Sequence, residues 1–297
     1  MKRIGLILIY FLLLNFIFAQ EKKSLSSPKL LIIMPKDCVV CDTKPALRFL
    51  KKVFFNLKEK RISQDNDLAK RLIKEFKVKL LPAYFLEKKS LQDEKEGVCR
   101  VCGREKMLKE GKDFYYILPY FTGGSFFINR KRIPNRLDIF FTPYSPLSLK
   151  IVDLIKKLKK RLPSLKIKFH FLTPPKEKNF SFLDQYELEE ALRSVCVAEK
   201  FKDKLLDYLE CRLKQNNTTF WEDCLERLDI WPKIIKKCAL SKEGQLLLEK
   251  NTKLNKELQV ITGPYILLEN QQIFGITQDT TVEELIKIIK REVKDNG

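Results

Sequence analysis

The sequence predicts an α/β protein of two successive halves, each a central mixed sheet flanked by helices, the second carrying a helical insertion. Three observations predict it. Short apolar runs of strand length alternate with segments of helical periodicity. The layout of residues 30–52, an apolar run, a loop and an amphipathic helix, recurs at residues 137–162. In each half a proline, Pro82 or Pro264, opens a later apolar strand, a position where its missing N–H is tolerated.

At the amino terminus Lys2 and Arg3 precede a largely apolar stretch, residues 4–18, followed by Ala19-Gln20. That order is the one a secretory signal shows, so residues 1–19 are expected to be a signal peptide. A retained anchor is the alternative, the stretch being short for a span. About 278 residues would remain, enough for two domains. Export to a periplasmic or otherwise extracytoplasmic compartment lets disulfides persist, and the even count of eight cysteines fits complete pairing. The net charge of +20 raises nucleic acid or anionic membrane as a partner. Lys and Arg, however, run along the whole chain among 38 acidic residues. This reads as a solvated surface, with no nucleic-acid partner expected and association with a membrane surface left open.

In the first half residues 30–34 suit a buried strand, 35–37 a loop and 42–52 a helix, with Ala46, Leu47, Phe49 and Leu50 on its apolar face. Pro45 falls in the first turn, where it has no hydrogen bond to lose. Cys38 and Cys41 sit where strand gives way to helix. The helix amino terminus there would stabilise a thiolate, making Cys38 the attacking sulfur and Cys41 the resolving one. The spacing by itself also suits a metal knuckle or a structural disulfide. A helix at 67–76 follows, then Pro82 opens the strand 83–86. The second pair, Cys99 and Cys102, precedes Gly103, a common zinc-knuckle form because glycine permits the tight turn. Together with Cys38 and Cys41 it could complete a four-thiolate zinc site. In an exported chain a local disulfide, structural or acting as a relay, is the leading reading. Residues 115–118 and 125–128, joined through Gly123-Gly124, are expected to supply the remaining strands of a first domain, residues 28–134.

The second half, residues 135–297, begins with a strand at 137–141, a proline-rich turn and a helix from about 147 to 162. It ends with Gly263-Pro264, a strand at 265–268, a turn at Asn270-Gln271, a strand at 272–275 and a closing helix capped at Thr280 or Thr281. Between these lies the helical insertion, about 186–254, with Cys196, Cys211, Cys224 and Cys238 spaced by 15, 13 and 14. On amphipathic helices, without histidine or close spacing, they are poor metal ligands and good staples. Of three pairings, Cys211 with Cys224 closes a short loop that folds two helices back on each other, and Cys196 with Cys238 follows by elimination. His170, the only histidine, lies inside an apolar strand and reads as a satisfied strand residue. Ser145 as a hydrolytic nucleophile would need it as a base.

A Cys-x-x-Cys at a strand-to-helix junction, with Pro82 41 residues after Cys41, resembles the thioredoxin superfamily. The resemblance implies a cis Leu81–Pro82 bond, with the backbone of Leu81 pairing with an incoming peptide or thiol, so that Leu81 and Pro82 form the substrate-binding position. Asp37 replaces the family's tryptophan, and Val39-Val40 stand where thioredoxin has Gly-Pro. The proline, hairpin and closing helix of the second half resemble the thioredoxin ending, which implies two tandem thioredoxin-like domains. Laid on "FFTPYSPLS", the redox positions of the DsbA-type and lysosomal thiol reductase branches fall on Ser145 and Ser148. A serine hydroxyl cannot form a disulfide, so this position, with Pro264, reads as degenerate. The order Cys211, Cys224-Leu225, Cys238-Ala239 resembles the insertion of the gamma-interferon-inducible lysosomal thiol reductase. The implied function is an exported thiol-disulfide oxidoreductase that needs no cofactor. It would act on a thiol- or disulfide-containing protein with a separate redox partner, the second domain binding partners. The alternative is a non-catalytic binding or assembly module whose cysteines are structural or hold zinc.

Overall fold

The computed structural model describes residues 27–91, 108–118, 123–173, 182–215 and 218–294. The expected signal peptide and Cys99 and Cys102 lie outside the described residues. The chain runs through β1 (Lys29–Met34), α1 (Lys44–Val53), β2 (Lys58–Ser63), α2 (Asp67–Phe76), β3 (Leu80–Leu81), β4 (Ala83–Glu87), β5 (Leu108–Glu110), β6 (Phe114–Ile117) and β7 (Ser125–Phe127). It continues through β8 (Arg136–Phe141), α3 (Ser148–Arg161), β9 (Lys166–Phe171), α4 (Phe182–Lys200), α5 (Leu205–Lys214), α6 (Trp221–Glu226), α7 (Pro232–Ala239) and α8 (Lys242–Leu258). The hairpin strands β10 (Tyr265–Leu268) and β11 (Gln272–Gly275) and a last helix, α9 (Val282–Lys294), close it. The fold is α/β, with two sheets and flanking helices.

Two compact units interleave along the chain. One takes the chain up to Ile32, Leu47–Ile62 and Ala83–Tyr120; the other takes Ile33–Ala46, Ser63–Pro82 and Phe121–Gly297. The five-stranded sheet has the order β2-β1-β4-β6-β5. Its strand β4 reads apolar at four successive positions, Ala83 to Leu86, and all four are buried, the signature of a strand covered on both faces. Phe85 stacks on Tyr116 of β6 at 5.1 Å between ring centroids, and burial pushes the Tyr116 hydroxyl up to about 12.

The six-stranded sheet has the order β3-β7-β11-β10-β8-β9, with β8 and β9 parallel and β10 antiparallel to both its neighbours. Alternation along its strands separates two faces. Leu137, Ile139 and Phe141 of β8 join Ile266 and Leu268 of β10 under α3, where Ile151, Val152, Ile155 and Leu158 are buried. Phe140 and Leu267 point the other way, with Phe127 and Leu172. The insertion is fastened to the first of these cores through Cys196, Cys224 and Cys238, all at most 1 % exposed. It also carries a buried ionic knot: Glu190 accepts from Tyr208 Oη (2.9 Å) and from Arg212 Nε (3.1 Å) and Nη2 (3.0 Å).

Sheet membership departs from the sequence expectation at one place. Residues 125–128 were to complete the first sheet, whereas β7 lies in the second, with Gln272↔Phe126 against β11 and Leu81↔Phe126 against β3. Backbone bonds decide it: Phe127 N–H donates to Gln271 O (2.8 Å) and Ile128 N–H to Lys79 O (3.2 Å). The outer strand beside β6 in the first sheet is instead β5.

Candidate functional site

Strand β1 ends at Met34, and the loop that follows carries Cys38 and Cys41 in a disulfide, with Cα atoms 5.6 Å apart. Both cysteines are half-buried. The loop rests on one row of the six-stranded sheet, where Leu81, Phe126 and Gln272 are register partners across β3, β7 and β11. The carbonyl oxygen of Leu81 lies 3.7 Å from Cys41 Sγ. The Cys41 backbone makes an isolated parallel bridge with Gly124, just ahead of β7. The Val39 N–H, between the two cysteines, donates to Gln272 Oε1 (3.0 Å). Glycine is required at 124 because a Cβ there would stand 1.9 Å from the Val40 carbonyl oxygen. The Leu81–Pro82 and Gly263–Pro264 peptide bonds are both cis.

Gln272 is itself held in place. Leu268 pairs with Gln272 across the β10–β11 hairpin, whose turn residues Glu269 and Asn270 both adopt positive φ, 49° and 67°. Residues 130–135 brace that turn. Arg130 Nη2 donates to Asn270 Oδ1 (2.6 Å), Asn270 Nδ2 to Lys131 O (2.8 Å) and Gln271 Nε2 to Arg130 O (2.7 Å). Glu269 accepts from Arg132 Nε and from the Asn135 N–H.

One expectation about the cysteines is corrected. Helix α1 starts at Lys44 rather than at 42, which leaves Asp42 and Thr43 between Cys41 and the helix. The Cys41 backbone is extended against Gly124, so helical dihedrals cannot begin there, and Asp42 Oδ1 caps the start by accepting the Lys44 N–H (2.9 Å). Cys38 therefore lies six residues upstream of the first helical residue, Lys44.

The corner expected in the second half is present as strand β8, the loop 142–147 and α3. Ser145 and Ser148 are there, but both hydroxyls serve the local backbone. Ser148, 1 % exposed, donates from Oγ to Thr142 O, and Ser145 Oγ accepts the Leu147 N–H (3.3 Å). Gly263, ahead of Pro264, packs against the end of β8, where a Cβ would come within 2.9 Å of Phe140 O. His170 serves neither serine. Its Nε2 meets Asp138 Oδ1 (2.7 Å) and its Nδ1 the Asn251 carbonyl (2.9 Å). Burial raises the Asp138 carboxyl, but hydrogen bonds from His170 and Arg136 outweigh it and hold the group below its usual range.

No protein-family model matches the chain, and no curated protein matches it. Three similar solved structures each cover just over half of its length. The oxidoreductase NmDsbA1 from N. meningitidis is 12 % identical, covering 58 % of this chain and 93 % of that one, at a TM-score of 0.45. The thiol-disulfide exchange protein alpha-DsbA2 from Wolbachia pipientis is 17 % identical, covering 57 % and 86 %, at 0.41. Proteus mirabilis ScsC in a compact conformation is 17 % identical, covering 53 % and 82 %, at 0.41.

The four helical cysteines form Cys196–Cys238 and Cys211–Cys224. Among the described residues no group of three or more His, Cys, Asp or Glu could hold a metal. Cys38 and Cys41, being joined, offer no thiolates to the four-cysteine zinc alternative, whose other two members are outside the described residues. Sequence reasoning missed Gln272, whose partner Val39 is 233 residues away; a single glutamine at a strand start carries no signal of that contact. For Gly124 there was a signal, the Gly123-Gly124 pair, but it was read as a connector.

Proposed function

We propose that this chain exchanges thiols and disulfides through Cys38 and Cys41 in an extracytoplasmic compartment. Its substrate is a protein thiol or disulfide, and a second partner resets it. The observation that carries the reading is that, among the described disulfides, Cys38–Cys41 alone has both of its residues half-buried, whereas Cys196–Cys238 is wholly buried and Cys211–Cys224 pairs a half-buried Cys211 with a buried Cys224. Cys196, Cys224 and Cys238 are at most 1 % exposed and out of reach of a reacting sulfur. Cys38 and Cys41 are half-buried in a loop, with the Leu81 carbonyl beside Cys41 as an acceptor for a partner's backbone N–H. Among the described residues no helix is long and apolar enough to cross a membrane.

In the reduced form the Cys38 thiolate attacks a partner disulfide, making a mixed disulfide and releasing one partner thiolate. The Cys41 thiolate then attacks Cys38 Sγ, expelling the second partner thiolate and closing Cys38–Cys41. The partner gains two electrons and the protein loses two; run backwards, the same steps oxidise a partner. Ser145 and Ser148 take no part in the exchange, and the second half, residues 135–297, serves partner binding. The non-catalytic module would keep Cys38–Cys41 as a structural disulfide, the form in which the two cysteines stand in this structure.

Trapping separates the two readings. Cys38→Ser should abolish exchange with a model disulfide, and Cys41→Ser should accumulate a mixed disulfide visible by mass, because attack proceeds and resolution cannot. If the two variants behave alike and the unmodified protein turns over no model disulfide, the module reading replaces the enzyme.

A further inference from the structure

Gln272 is 1 % exposed, and its two amide ends are used unequally. Oε1 accepts the Val39 N–H, which fixes the orientation of the amide, since an N–H can be answered only by the oxygen. Nε2 is buried without a hydrogen-bond partner among the described residues. A buried amide donor left unanswered is costly, and native structures keep few of them. Here the donor belongs to the side chain that holds the residue between the two cysteines, on a hairpin braced by Arg130, Arg132 and Asn270. In the disulfide form no acceptor among the described residues meets that donor. Opening the disulfide creates a full negative charge on a sulfur of the same loop, for which an N–H is a charge-assisted partner.

We infer that Gln272 is a positioning residue of the redox loop that favours the reduced state. Its Oε1 holds Val39, and its free Nε2 donates to the thiolate formed when the disulfide opens. This rests on the exchange reading proposed above. In the balanced step two glutathione thiols reduce the loop. Two electrons pass to Cys38 and Cys41, one glutathione disulfide forms, and of the two protons released by the thiols one stays on a protein sulfur while the other goes to solvent. The remaining sulfur is the thiolate that Gln272 answers.

The test uses Gln272→Glu, which keeps an acceptor for Val39 but replaces the donor by a negative charge, and Gln272→Met, which keeps the bulk and removes both functions. Each purified protein is equilibrated with reduced and oxidised glutathione, and the rate of iodoacetamide alkylation is followed against pH. Both variants should shift the equilibrium toward the disulfide by on the order of tenfold, as loss of a charge-assisted hydrogen bond implies. Both should also move the alkylation profile to higher pH, Glu further than Met. A role confined to packing would lower thermal stability and leave both readouts within about twofold of the unsubstituted protein, which would overturn the inference. Should Gln272→Met fail to fold, the Glu variant decides alone. If the unsubstituted protein does not exchange with glutathione at all, the exchange reading falls and this inference with it, whereas exchange with unshifted variants removes only the role of Gln272.

Discussion

The cysteine loop, residues 35–43 after β1, and the serine corner, residues 142–147 after β8, share a layout and differ in how they are held. Each lies between a strand and a helix, and each half has a cis X-Pro bond ahead of a later strand. The cysteine loop draws its support from far along the chain: Leu81, Gly124 and Gln272. The serine corner supports itself within six residues, Ser148 Oγ to Thr142 O, Ser145 Oγ to the Leu147 N–H, and the Ser148 N–H to Ser145 O (3.0 Å). A corner whose polar atoms are answered locally has none to spare for a partner. One held by residues far along the chain can leave its sulfurs half-exposed and still keep its shape.

Three substitutions test that contrast. The largest effect belongs to Gly124→Val. Its side chain would collide with the Val40 carbonyl, and relieving the clash should cost about 3 kcal/mol, the upper end for overpacking. Chemical denaturation would measure it, and exchange with a model disulfide should fall together with stability. An unchanged exchange rate would mean the loop does not need its seat. Next comes Ser148→Ala, which removes one hydrogen bond from the self-supporting corner. It should cost about 1 kcal/mol and leave exchange untouched; any loss of exchange would show the two corners to be coupled. The smallest net effect is expected from Ser145→Cys with Ser148→Cys. The Ser148 N–H to Ser145 O bond marks a turn that brings the two Cα atoms within about 7 Å, inside the range a disulfide can bridge. The bond should form, as peptide mass mapping would reveal. The stability change should stay below about 1 kcal/mol, because a loop this short gains about as much from the cross-link as the lost hydroxyl bonds remove.

The α/β class was legible because periodicity is a local property: 30–34, 137–141 and 265–268 read as strands, and they are β1, β8 and β10 to within a residue. The start of α1 was not. The pattern from 42 onward is helical by composition, and what delays the helix is a backbone bridge from Cys41 to Gly124, 83 positions away and silent in any window. The same holds for β7. Its three residues read equally well as a strand of either sheet, and only the hydrogen bonds to Gln271 and Leu81's strand assign it. At the candidate site the reactive residue types were visible as a motif, whereas Gln272 was not, and Gly124 was visible only as half of a glycine pair, since the roles of both exist only through contacts of long range.

The separation of 233 residues between Val39 and Gln272 is also an interval of time. At a synthesis rate of about 5–20 residues per second, it corresponds to roughly 10–50 s between the appearance of the cysteine loop and that of the strand that holds it. For that interval Cys38 and Cys41 are two sulfurs on an unfinished chain. Whatever oxidant or thiol they first meet, they meet before the β10–β11 hairpin has been made.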